Sequence, residues 1–155
     1  MWQIIVERSL QHLDEFLKES IWSGRENEVV NLFAHHFLNR EIRDEGPLTS
    51  LSQVGIEVAV PQVTGSVKKY VRKDLVIWPR PLMTAWPDGS LPAVIIEWKC
   101  NTLAACVPDI EWLSAFTALY PQTLGVAVCA FLSGARGVEW TIVENGTPNK
   151  KQDLP

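Results

Sequence analysis

Two short apolar runs that carry charged residues constrain the fold of this chain more than any other feature. The first run is Lys73–Trp78 and the second is Ala93–Lys99. Their β-branched and aromatic content predicts two strands that are buried in a sheet. Burying an unpaired carboxylate or ammonium group is costly, so the charges in these runs need partners or a role.

Three of these charged side chains are expected to lie close together. Side chains alternate between the two faces of a strand, so Glu97 and Lys99 point to one face and Trp98 points to the other. If the two strands are neighbours, Asp74 joins Glu97 and Lys99 in one cluster. Two carboxylates and a lysine on a rigid sheet can hold a divalent metal ion and an activated water.

The size and charge of the chain limit the remaining possibilities. At 155 residues and 46% hydrophobic content, the chain is predicted to form one domain with a proper core over residues 1–145. Residues 146–155 are polar and are expected to form a disordered tail. The net charge of −4 does not suit a surface that binds nucleic acid all over, so a polyanion would need a local basic patch.

The cysteines and the apolar runs indicate a cytoplasmic protein without a membrane segment. Three cysteines are an odd number, and the absence of a C-x-x-C pair argues against a disulfide framework or a zinc site. The N-terminus does not have the pattern of a signal peptide, and no apolar run approaches the roughly 20 residues that span a bilayer.

Periodicity predicts the order of the elements along the chain. A helix is expected over Trp2–Glu19, and a second helix from about Gly24 to about Ile42, with Ser23 as its N-cap and Glu26 completing a capping box. The predicted strands are Gln53–Val60, Lys68–Trp78, Ala93–Lys99, Gly125–Leu132 and Val138–Val143, with a turn at residues 64–66, a loop at residues 79–92 and a third helix at residues 108–121.

This order predicts an α/β fold with a mixed sheet of about five strands and helices packed on its faces. The helix between the third and fourth strands favours a right-handed crossover with parallel pairing. The strands before it are typical of an antiparallel meander.

The charged residues and their setting resemble the PD-(D/E)XK nuclease superfamily, which has the restriction-endonuclease-like fold. Asp74 in the run Arg72–Ile77 and the Glu97-Trp98-Lys99 tripeptide at the end of the next strand carry the resemblance. The acidic start of the second helix, residues 25–30, also matches, and the likeness covers about residues 23–143. One departure is that Lys73 stands in place of the proline that gives the motif its first letter, a proline that many members lack.

The resemblance implies a role for each matching residue. Asp74 and Glu97 would ligate Mg²⁺ or Mn²⁺, together with the backbone carbonyl of Trp98 and waters. Glu26, with Glu28 as the alternate, would hold a metal-bound water or a second metal. Lys99 would position or help deprotonate the attacking water and stabilise charge on the phosphate. The implied activity is hydrolysis of phosphodiester bonds, with DNA as the expected substrate.

A basic stretch lies next to the predicted site. Its residues could contact the phosphates of a bound nucleic acid, and they are Lys68, Lys69, Arg72 and Lys73, with Arg25 from the second helix. Cutting both strands of a duplex needs two sites, so a homodimer is a plausible assembly.

Plainer interpretations stay open for each of these features. Asp74 could pair with Lys73, and Glu97 with Lys99 on a solvated face, where such pairs contribute little. The lysines could protect a sheet edge, and Glu26 could serve only as a cap. The whole chain could be a catalytically inactive module on the same fold that binds nucleic acid or protein, or an assembly protein that uses its tryptophans as an interface.

Overall fold

The computed structural model describes residues 1–65, 67–82 and 90–150 of the chain. Part of the predicted loop (residues 83–89), one residue of the predicted turn (Ser66) and the end of the predicted tail (residues 151–155) lie outside the described residues. No helix among the described residues has the length and apolar character needed to cross a membrane.

The described chain is a mixed α/β structure built on a six-stranded sheet. The helices are α1 (Trp2–Glu19), α2 (Glu26–Leu32) and α3 (Val107–Leu119), and the strands are β1 (Val54–Pro61), β2 (Tyr70–Ile77), β3 (Val94–Cys100), β4 (Leu124–Phe131), β5 (Gly137–Glu144) and β6 (Thr147–Lys150). The strands lie in chain order across the sheet. Among the described strands, β3 and β4 form the one parallel pair, and α3 connects them, as the crossover rule predicts.

The sixth strand corrects the prediction of five strands and of a disordered tail from residue 146. Asn145 and Gly146 both have positive φ, 50° and 77°. An Asn-Gly pair in this conformation favours a tight hairpin turn, and it returns the chain along β5. The Asn-Gly pair is a turn signal in the sequence, but the polar composition of the residues after it favoured a disordered tail over a strand.

The second helix is shorter than the predicted range of residues 24–42. As regular α-helix it begins later and ends earlier. After α2 the chain continues through a π-helical turn, Phe33–Phe37, and a 3₁₀ turn, Leu38–Glu41. The N-cap is Arg25 rather than Ser23, and its backbone N–H donates to Glu28 Oε2 at 2.6 Å. The capping-box role predicted for Glu26 therefore falls to Glu28, which leaves the Glu26 carboxylate available for other contacts.

The sheet separates two hydrophobic layers. The first layer lies between the sheet and helices α1 and α2, and the second lies between the sheet and α3. Trp98 belongs to the first layer, where its ring is 5.2 Å from that of Phe33. Trp112 of α3 belongs to the second layer. The side of the sheet that Glu97 and Lys99 share is therefore the α3 side, because they alternate with Trp98.

Within β1 and β2, the alternation of side chains between the two faces of the sheet is shifted by one residue. We call this shift the slip. In β1, Val54 and Ile56 contact the first layer, but Val58 and Val60 belong to the second. In β2, similarly, Leu75 and Ile77 belong to the first layer and Val71 contacts the second.

The slip coincides with an unusual backbone conformation. Residues two apart on a regular strand share a face, so the face changes between Ile56 and Val58. Glu57 lies at this point, and its φ of 53° is in the left-handed region that non-glycine residues rarely adopt. The segment of β2 that pairs with β1 at this point changes face in the same way, because Val58 is in register with Lys73. Lys73 consequently faces α3.

A glycine at position 57 should relieve this strain. We expect Glu57→Gly to raise the free energy of unfolding by up to about 1 kcal/mol, since glycine adopts a positive φ without a Cβ clash. The exposed ion pair that it removes, Glu57–Arg72, contributes little. The control is Ala59→Gly, at an exposed position on the same strand without a positive φ. This variant should have a free energy of unfolding lower by about 0.5–1 kcal/mol. Equal destabilisation of both variants in urea unfolding would contradict the assigned backbone conformation.

Candidate active site

The ladder between β2 and β3 opens at the predicted cluster. Only three residue pairs join the strands, the last being Leu75 with Ile96, although both strands continue beyond it. Asp74 and Glu97 are the first residues past this pair. The backbone N–H of Asp74 donates to Glu97 Oε2 at 3.1 Å, and that of Trp98 donates to Asp74 Oδ2 at 2.7 Å. Two carboxylates therefore replace the neighbouring strand as hydrogen-bond acceptors.

Lys73 occupies the interior of this opening. Its side chain is about as buried as that of Glu97, at 5% and 6% exposure, and its Nζ is hydrogen-bonded to Glu97 Oε1. The same Nζ lies 3.6 Å from the centroid of the Trp112 ring, a favourable position for a cation on an aromatic face. Such burial does not suit the predicted role of Lys73 as a surface contact to phosphate. The slip at Glu57 explains the difference, because it rotates Lys73 toward α3.

Lys99 connects the sheet to both neighbouring helices. Its Nζ donates to the carbonyl of Trp98 at 2.8 Å and lies 3.2 Å from Asp109 Oδ2 and 3.9 Å from Glu26 Oε1. The structure thus brings Asp74, Glu97, Lys99 and Glu26 to one place. Glu28, the alternate for Glu26, is instead held at the cap of α2.

Asp109 is the functional candidate that the sequence reasoning missed. Asp109 lies in the first turn of α3, where acidic residues are common because they favour the positive end of the helix dipole. The crossover connection nevertheless indicates that Asp109 lies near Lys99. A helix that begins a few residues after β3 ends must have its first turn near the carboxyl end of β3, where Lys99 lies.

The electrostatics of the cluster are dominated by carboxylates. Burial raises the pKa of Glu97 to about 7; Lys73 opposes this shift and Asp74 adds to it. Burial also raises the pKa of Asp109 and of Glu26, against the effect of Lys99. For Lys99, burial acts to lower the pKa, but Asp109 and Glu26 outweigh it, so the pKa is raised. Four carboxylates face two ammonium groups, and this excess of negative charge favours a cation.

The donor chemistry fits a divalent metal ion at two of the predicted ligands. The described residues contain no group of three or more His, Cys, Asp or Glu side chains arranged to hold a metal. Mg²⁺, however, is commonly held by only one or two carboxylates with waters and substrate phosphates. Asp74 and Glu97 supply such a pair, and Asp74 Oδ1 accepts no hydrogen bond from the described residues. A metal ion there would compete with Lys73 for Glu97.

The other two predicted ligands fit less well. The Trp98 carbonyl and the Glu26 carboxylate both face the Lys99 ammonium group, which repels a second cation. Glu26 therefore suits an interaction with Lys99 or a water better than direct ligation.

The remaining basic residues lie at the surface, as a phosphate contact requires. Lys68, Lys69, Arg72 and Arg25 are exposed. Arg72 lies 3.5 Å from Glu57 in an ion pair that is open to solvent on both sides.

A cavity of about 630 Å³ lies over β4 and β5 beside the start of α3, and the residues that line it do not include those of the cluster. Cys106 and Cys129 line it, together with Trp140. Burial raises the pKa of Cys106 to about 12 and also raises that of Cys129. A raised pKa keeps a thiol protonated, and protonated thiols are poor nucleophiles.

Comparison with known proteins adds no family to this picture. No protein-family model, no curated protein and no solved structure matches the chain. The function is therefore argued from the residues of the cluster and their geometry.

Removing the buried lysine tests its pairing with Glu97. We expect Lys73→Met to lower the free energy of unfolding by about 3 kcal/mol at pH 8, because Glu97 is left as an unpaired buried charge. At pH 5 the loss should be smaller, because Glu97 can then bind a proton. Lys69→Met, at an exposed position, should change stability by no more than about 0.5 kcal/mol. A small, pH-independent loss in Lys73→Met would show that Lys73 is not paired inside.

The raised pKa of Glu97 predicts a pH dependence of stability in EDTA. Between its ordinary value of 4.5 and about 7, folded Glu97 keeps a proton that the unfolded chain loses. Stability from this group is thus fully present below the unfolded pKa and declines as pH rises to about 7, by at most about 1.4 kcal/mol per pH unit. Glu97→Gln should flatten the decline measured by urea unfolding. The exposed control Glu111→Gln should leave it unchanged, and an equal slope in both variants would refute the assignment.

Proposed function

We propose that this chain is a metal-dependent nuclease that hydrolyses phosphodiester bonds, in DNA by preference. The observation that carries the proposal is the convergence of Asp74, Glu97 and Lys99 at the opening between β2 and β3. Burying charged groups costs free energy of folding. Clusters of buried charges of both signs are therefore typical of functional sites.

The topology supports a restriction-endonuclease-like fold for this proposal. An antiparallel meander of β1, β2 and β3 precedes a parallel crossover through α3 to β4, and β5 then pairs antiparallel to β4. The sequence resemblance implies this order of elements. The fold alone does not fix an activity, so the proposal depends on the site residues.

Asp74 and Glu97 would hold the Mg²⁺ or Mn²⁺ ion. When bound, the ion supplies positive charge for the phosphate and lowers the pKa of a coordinated water. The backbone N–H groups of Asp74 and Trp98 hold the two carboxylates in position, because each donates to one of their oxygens. Preorganised ligands of this kind do not need to be rearranged when the substrate binds.

Lys99 acts as a cation in this mechanism rather than as a base. The Asp109 and Glu26 carboxylates raise its pKa, against the effect of burial, so its ammonium group stays protonated at neutral pH. It can donate a hydrogen bond to a phosphate oxygen and stabilise the charge that develops there. Glu26, which is 42% exposed and 3.9 Å from Lys99 Nζ, would accept a proton from the attacking water.

A second candidate function is a catalytically inactive module on the same fold that binds nucleic acid or protein. One observation favours it. The Lys73 ammonium group already neutralises Glu97 and could substitute permanently for a metal ion. The net charge of −4 also gives no general attraction to DNA.

Cleavage assays separate the two candidates. The protein should cut single-stranded, duplex or branched DNA with Mg²⁺ or Mn²⁺ and not in EDTA. Glu97→Ala and Lys99→Ala should each reduce the rate at least about 100-fold, whereas the exposed control Glu111→Ala should keep it. Folded wild-type protein that cuts none of these substrates would favour the inactive module. Equal cleavage by all variants would reveal a contaminating nuclease.

A further inference from the structure

The tip of the β1–β2 hairpin carries apolar and basic side chains together at the surface. Tyr70 is 56% exposed and Val67 is fully exposed. The neighbouring side chains of Lys68, Lys69 and Arg72 are exposed as well. Single exposed apolar residues are common, but an exposed ring among three cations on an acidic protein needs an explanation.

The backbone from Lys69 onward pairs with the end of β1, which fixes the direction of its side chains. Pro61 is in register with Tyr70, and the Gln62 N–H donates to the Lys69 carbonyl at 2.9 Å. Val71 contacts the second hydrophobic layer. Tyr70 and Arg72 alternate with it and therefore share the opposite face, with Cα atoms roughly 6.6 Å apart.

The side chains of Tyr70 and Arg72 on this face can contact a partner. Tyr70 makes no hydrogen bond or ring contact with the described residues. Arg72 has one weak partner, Glu57 at 3.5 Å, in a pair with exposures of 76% and 64%. A solvent-exposed pair of this kind contributes little, so a phosphate can replace Glu57 at small cost.

We propose that the hairpin surface, defined by Lys68, Lys69, Tyr70 and Arg72, binds an unpaired strand of nucleic acid. Tyr70 stacks on one base, Arg72 contacts a phosphate from the same face, and the exposed Lys68 and Lys69 side chains at the hairpin end add positive charge that attracts the strand. This inference rests on the proposed nuclease function and names its substrate class as single-stranded or locally unpaired nucleic acid.

The single aromatic ring is the reason for preferring an unpaired strand. In a duplex both faces of each base are covered by neighbouring bases, so a ring on a strand can stack only on a base that is unstacked. Stacking also tolerates any base, because every base has a π-face. The surface thus favours binding without sequence preference.

The hairpin surface lies on the same strand as one carboxylate of the candidate active site. Tyr70 and Asp74 are four residues apart on β2, which corresponds to roughly 13 Å. Stacked nucleotides advance about 3.4 Å each, so about four nucleotides cover this distance. About four nucleotides therefore span the distance along β2 between the hairpin surface and Asp74, although Tyr70 and Arg72 lie on the face of the sheet opposite to Glu97 and Lys99.

Fluorescence anisotropy with labelled oligonucleotides tests this inference. It is measured in EDTA, so that no cleavage occurs, with single-stranded DNA, single-stranded RNA and duplex DNA of one sequence. We expect either single strand to bind more tightly than the duplex. Tyr70→Ala should weaken single-strand binding roughly tenfold or more, and Tyr70→Phe should retain it. Lys69→Ala should lower the salt slope by about 0.7. Leu119→Ala, an exposed apolar control on α3, should have no effect.

The outcomes separate this inference from the nuclease proposal. Tighter binding of duplex DNA, or unchanged single-strand binding by Tyr70→Ala, overturns the inference even if the protein cleaves DNA. Tyr70-dependent binding of single strands supports it even if no cleavage is found with Mg²⁺ or Mn²⁺. The preferred single strand identifies DNA or RNA as the polymer.

Discussion

The hydrogen-bonded ion pair between Lys73 and Glu97 is the interaction on which the candidate site depends. Both side chains are almost fully buried, and the Lys73 ammonium group also lies on the face of Trp112. Removing two charges from water costs several kcal/mol for each, and only close pairing offsets that cost. Glu97 in turn accepts the N–H of Asp74, so the pair also determines where the second carboxylate lies.

The pair exists because regular strand geometry fails at one place. The positive φ of Glu57 turns β1 and its partner segment of β2, which brings Lys73 to the α3 side. Pairing between β2 and β3 ends at Leu75 and Ile96, and the free N–H groups beyond it turn to carboxylates. Strain and lost ladder hydrogen bonds are tolerated where they hold a functional group in place, and the nuclease proposal gives such a reason.

Much of the fold followed from sequence, and the site followed in part. Alternation correctly predicted that Trp98 faces away from the cluster, and the crossover rule correctly predicted that β3 and β4 are parallel. Lys73 was expected at the surface as part of the basic stretch, but it is buried, because the slip at Glu57 that turns it toward α3 has no recognisable sequence pattern. Asp109 was missed because an acidic first turn is ordinary for a helix, and its contact with Lys99 appears only after the crossover is built in space.

The most direct test of the two-carboxylate site is a crystal structure of the protein soaked with Mn²⁺ and recorded with anomalous scattering. We predict a Mn²⁺ ion within about 2.2 Å of oxygens from both Asp74 and Glu97, with the Lys73 ammonium group moved away from Glu97. An intact Lys73–Glu97 pair with no anomalous peak beside Asp74, at saturating Mn²⁺, would contradict the metal site and with it the nuclease proposal.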